Sequence, residues 1–194
     1  MYDSLLAAAR DGAVSGSAGR SLGRLAVSRT GDGVPAFIER ASQLLNEHAR
    51  AVTDDAIREG LPHRVALYRI VGSVLSKARE ECAPADRPGL LSEDAAGRLA
   101  GIAVSDLTAI KVAALAVSFS VEPGSEWDMQ RAASRMLVAL SSLHLPTVLT
   151  HLLPKLETCS MFSQQQAQRK GGSKAGFQAQ ELCLMLVLFT LQDM

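Results

Sequence analysis

Aromatic side chains are scarce in this chain, at 4% of 194 residues, and Trp127 is its single tryptophan. Sheets draw on aromatic and β-branched residues for their faces, so this scarcity points away from a β fold. Charge of one sign is lacking too: 20 Lys and Arg meet 20 Asp and Glu, for a formal net charge of +0. A domain that neutralises phosphates carries a basic excess, so nucleic acid is not an expected partner. Cysteine is limited to Cys82, Cys159 and Cys183, an odd set without a CxxC pair. That excludes a disulfide framework and reads as free thiols in a reducing, cytoplasmic setting. Met1 to Arg10 has Asp3 where a secretory leader carries basic residues, so none is expected. Long hydrophobic runs are missing as well. Leu182 to Phe189, the most apolar, falls well short of the roughly 20 residues a bilayer-spanning helix needs, and no membrane span is expected.

What the chain does have is alanine, leucine and helical periodicity, within a hydrophobic content of 47%. Val14, Ala18, Leu22 and Leu25 form one stripe. Pro35 suits a first helical turn, where its missing N–H has no partner to lose; Phe37, Ile38, Ala41, Leu44 and Leu45 follow it. Pro62 is expected to open the next helix in the same way, after a turn holding Thr53 to Asp55 and Gly60. Pro84 and Pro88 break the chain. Ser92 then reads as an N-cap, with Glu93 and Asp94 placed well against the helix dipole. Ser125 to Asp128 has the form of a capping box, which accounts for Glu126 and Asp128 without chemistry. Pro146 opens a further helix, and Pro154 is expected to kink it. Two connectors stand out: an insert over 108–124, expected to be an extra short helix or an ordered loop, and a polar loop over 163–175 expected to be disordered.

Three stretches share internal spacing. Val14–Ala18–Leu22 lies on His63–Leu67–Val71 and again on Met129–Ala133–Leu137, with irregular separations between units. Leu22-Gly23-Arg24-Leu25-Ala26, following Leu5 to Asp11, resembles a HEAT repeat, as does His151 to Leu156 with its proline. The position where that family often has an arginine is Ser15 in the first unit, Arg64 in the second and Gln130 in the third. His63 to Ser76 and Trp127 to Leu140 are similar to the N-terminal region of maestro heat-like repeat proteins, and the likeness spans Met1 to about Thr158. The resemblance implies an all-α, right-handed α-solenoid of antiparallel helical hairpins, a HEAT/armadillo-like superhelix. The chain would be a single domain over 1–194 with roughly four hairpins. It also implies a non-catalytic scaffold or adaptor that binds other proteins.

No catalytic, cofactor or metal site emerges from the residues. His144, His151 and Cys159 are of zinc-binding types but lack H-x-x-x-H or CxxC spacing. The three cysteines have no neighbouring histidine to stabilise a thiolate. Gly171 to Lys174 lacks phosphate-loop spacing; with Arg169 and Lys170 it offers an alternative, peripheral attachment to an organelle membrane. An enzyme with an unrecognised Cys/His site is a second alternative. The last helix stands apart because Leu182, Leu184, Leu186 and Leu188 alternate with Cys183, Met185, Val187 and Phe189. A helix apolar on every side has to be covered on every side. Leu182, Leu184, Leu186, Leu188 and Phe189, with Trp127, are therefore the candidate stacking or partner surface. Further repeats of a longer array, or self-association through this helix, would cover it.

Overall fold

The computed structural model describes residues 21, 33–49, 54–83, 85–108, 126–168, 185 and 187–194, and among these every regular element is helical. Four helices carry the fold: α1, Gly33–Ala49; α2, Asp54–Glu81; α3, Glu93–Thr108; and α4, Glu126–Gln168. A short 3-10 turn, Arg87–Gly89, separates α2 from α3, and a final helical segment covers 187–192. The protein is all-α, as the scarcity of sheet-forming residues implies.

Each helix forms for a local reason. α1 has Pro35 in its first turn and buries Val34, Phe37, Ile38, Ala41 and Leu45, one stripe of a 3.6-residue period. α3 is capped by Ser92, whose Oγ accepts from the Ala95 N–H at 3.2 Å, and its alanines let neighbours approach closely. α2 is buried on more than one side between Leu61 and Ala78 because it lies between α1 and α4.

Two expectations need correction. Gly60 and Pro62 do not separate helices, since α2 runs unbroken from Asp54. Pro62 is exposed, so the carbonyl it leaves without a donor, that of Arg58, lies on the water side. Pro154, where a kink is expected, keeps helical dihedral angles within α4. The one non-helical residue inside α4 is His144, at φ −137° and ψ 58°. It lies two residues before Pro146, whose ring disfavours helix just ahead of it. Pro154 is exposed, as is Thr150, whose carbonyl loses its intrahelical donor. Residues 163–168, expected to lie in a loop, are the end of α4. α4 is thus two helices joined at one residue: a first arm, 126–143, and a second arm, 145–168. The stripe from Val14 to Leu25, the insert over 109–124 and the polar loop over 169–175 lie outside the described residues.

The neighbours form an alternating pattern. α1 meets α2 and α3, while α4 meets both α2 and α3. Glu39 of α1 pairs with Arg98 of α3 at 2.6 Å, and the far ends of both helices converge on Arg64, so α1 and α3 run parallel. Arg69 meets Asp128, and Gly72 lies against Met136 two turns on, so α2 and the first arm also run parallel. The second arm packs on α3, with Thr147 and His151 over Gly97 and Gly101. The final segment packs on the first arm, where Ser134 and Thr190 share a 2.8 Å hydrogen bond and Val187 is fully buried. Successive helices therefore alternate between two sets. One is α1, α3 and the second arm; the other is α2, the first arm and the final segment.

Candidate functional site

Two side-chain constellations stand out, one buried and one open. The buried one lies where α1, α2 and α3 meet. Arg64, 5% exposed, donates through Nη1 to the Leu45 carbonyl at 3.0 Å and through Nε to Asp106 Oδ2 at 3.0 Å, with Nη2 on the same oxygen. The Tyr68 hydroxyl also donates to Asp106 Oδ2, at 2.5 Å. Burial opposes the Arg64 charge, but the hydrogen bond and charge of Asp106 more than offset it, so its pKa sits above the ordinary value. Burial, reinforced by the Asp106 charge, holds the Tyr68 phenol well above its ordinary range. The three groups bond to one another and to the Leu45 carbonyl, and their polar atoms are engaged within the fold. They tie three helices together.

The open constellation is a groove of about 630 Å³ between α2 and the first arm. Its floor is small: Gly72, Ser73 and Ser76 from α2, Ala132 and Ala139 from α4. A Cβ at Gly72 would lie 3.5 Å from the Met136 Cα, so the two helices touch closely there and the trough is narrow. Its walls are cationic, with Arg69 and Lys77 on one side and Arg131 and Arg135 on the other. Asp128 and Glu80 are the acids present. Asp128, buried, accepts from Arg69 at 2.6 Å, and Glu80 accepts from Lys77 at 2.8 Å. The Glu80 hydrogen bond lifts the Lys77 pKa, and Lys77 in turn lowers that of Glu80. Arg131 and Arg135 are exposed and form no ion pair with any described residue.

A second crevice, about 840 Å³ and shallow, separates α3 from the second arm and is lined by Glu93, Asp94, Gly97, Arg98, Gly101, Ile102 and His151. His151 covers the two glycines there, while His144 stands at the α4 break with Nε2 buried and without a hydrogen-bond partner among the described residues. Among the described residues, no three His, Cys, Asp or Glu side chains gather as a metal site would require. Cys82 is a half-buried free thiol, and the side chains of Cys159 and Cys183 lie outside the described residues.

Comparison with known protein families, with curated proteins and with solved structures gives no match to this chain.

The structure scatters the residues singled out from sequence. Leu188 and Phe189 are exposed at 48% and 55%, on a segment whose Val187 and Thr190 are buried, so the fold covers only one of its sides. Leu182, Leu184 and Leu186 lie outside the described residues. Trp127 packs half-buried against the core. Asp128, read as a capping acid, also bridges to α2. The groove residues Arg69, Lys77, Arg131 and Arg135 escaped notice because only the stacking of two helices brings them together. Their signal was present nonetheless, as cations recurring on the two stretches with shared spacing. One apolar stretch was also passed over. Trp127–Thr158 is long and apolar enough to cross a membrane by length and composition alone, with mean hydropathy 1.5, although the His144 break interrupts it and 33% of its apolar window is buried in this fold.

Proposed function

We propose that this protein is a non-catalytic cytoplasmic scaffold, a HEAT-like right-handed stack of antiparallel hairpins that holds another protein along the groove between α2 and the first arm. The observation that carries the reading is the alternation of neighbours. Helices two apart in sequence pack parallel, α1 with α3 and α2 with the first arm, as they do where hairpins stack in a solenoid. The shared spacing supports the same reading, since Leu67, Val71 and Val74 are buried and so are their counterparts Ala133, Leu137 and Leu140. So are Arg64 and Gln130, at the position where the HEAT resemblance has an arginine. In such a stack the surface of one helix layer is the natural place for a partner, because it is continuous, open and built from several repeats. On this reading the exposed apolar side of the last hairpin takes up a second copy of the chain or further repeats.

Capture from cell extract tests the proposal. The intact chain is expected to retain a reproducible set of proteins that an Arg131→Glu/Arg135→Glu variant, folded by circular dichroism, releases. A variant changed at Glu93 and Arg98, on the opposite set of helices, is expected to keep them. Equal retention by all three chains, or retention of nothing, overturns the scaffold reading.

A further inference from the structure

The chemistry of the groove identifies the kind of segment it accepts, and this step rests on the scaffold reading above. Arg131 and Arg135 stand four apart on one helix, so their side chains leave successive turns on the same face, about 6 Å apart at Cβ. Like charges at that spacing destabilise a helix unless an anion lies between or beside them. The acids of the groove are already engaged, Asp128 by Arg69 and Glu80 by Lys77, which leaves the two arginines as the excess positive charge of the trough. The floor of Gly72, Ser73, Ala132 and Ala139 lets a main chain lie down without displacing a long side chain.

We infer that the groove binds an extended acidic peptide of a partner protein, with carboxylates at alternate positions. In an extended strand, alternate side chains point the same way about 6.6 to 7 Å apart, which matches two guanidinium groups on successive helical turns. Adjacent acids in such a strand point to opposite sides, so only one of them can reach the arginine wall. An acidic helix, about 10 Å across, needs a wider trough than two helices touching at Gly72 and Met136 provide. Each arginine offers a planar fork to one carboxylate, and Ser73 and Ser76 of α2 line the same groove.

The test is fluorescence anisotropy of short fluorescein-labelled peptides titrated with the full chain. The probes carry Glu-Ala-Glu-Ala-Glu, Gln-Ala-Gln-Ala-Gln or an adjacent Glu-Glu pair between Gly-Ser flanks. The alternating acidic peptide is expected to bind, to weaken as salt rises, and to lose about tenfold or more in affinity with Arg131→Glu/Arg135→Glu. The same variant is expected to gain affinity for a Lys-Ala-Lys-Ala-Lys peptide, a swap that misfolding would not produce. Equal binding of the adjacent-acid peptide, indifference to the double substitution, or binding confined to anionic phosphatidylserine vesicles overturns the inference. If no peptide binds but the double variant still releases captured proteins, the inference falls while the scaffold reading stands. If the captured proteins are also unaffected, both fall.

Discussion

The junction of α1, α2 and α3 and the C-terminal part of the described chain, the second arm with residues 185–192, are finished in opposite ways. At the junction, charge is brought inside and tied off: one guanidinium, one carboxylate and one phenol satisfy each other and a backbone carbonyl. In the C-terminal part, apolar surface is left outside. Leu145, Leu153, Met161, Met185, Leu188 and Phe189 are the large hydrophobics that stand exposed among the described residues, and every one belongs to the second arm or the segment after it. A buried ion pair contributes little over a well-packed apolar substitute, but losing half of it is expensive. Exposed apolar side chains contribute nothing to the fold that leaves them exposed; their free energy is realised only on covering. The first region therefore reports on how this chain holds itself together, and the second on what it is prepared to meet.

The comparison can be broken most forcefully at Arg64. Arg64→Ala leaves Asp106 with only the Tyr68 hydroxyl, and is expected to lower unfolding stability by about 3–5 kcal/mol in chemical denaturation. Replacing Arg64, Tyr68 and Asp106 together by Met, Phe and Leu is expected to recover much of that loss, because no polar group remains stranded. Tyr68→Phe alone is expected to cost about 1 kcal/mol near neutral pH. Its pH profile sharpens the point. The folded phenol has its pKa raised above the ordinary 10.0, so the native state binds the proton more tightly than the unfolded one. Stability from this group is complete below the ordinary value and declines as pH rises through the folded value. The phenylalanine variant should therefore lose less stability than the parent on going alkaline.

Between the two regions, Gly101→Ala is expected to stabilise the protein by about 0.5–1 kcal/mol. A Cβ there would rest 3.5 Å from the His151 ring, an ordinary contact, while the helix gains a better former. The smallest effect on the fold belongs to the open end. Leu188→Ser with Phe189→Ser is expected to shift unfolding by no more than about 0.5 kcal/mol, as for most surface changes. Light scattering at rising concentration should show the parent associating and this variant not.

Local chemistry made much of the helical architecture readable. The Ser92 cap, Pro35 in the first turn of α1, the break after Glu81 and a helix restarting at Pro146 each depend on a few consecutive residues. Gly60 with Pro62 misled because both residues weaken a helix intrinsically, and burial of Leu61, Val65 and Tyr68 outweighs that weakness. The Arg64–Asp106 bond joins residues 42 positions apart, and no periodicity announces such a pairing. A charged residue inside an apolar stripe was the available hint. The groove was hidden for the same reason: Arg69 and Arg131 belong to different helices, and only their parallel packing makes one wall face the other.

The break at His144 has a mechanical consequence. No slack chain separates the rod that walls the cationic trough from the rod that bears the greasy end; one pair of dihedral angles is the whole hinge. Any change in the angle between the two rods must therefore be taken up by φ and ψ of His144 alone, with no loop to share it.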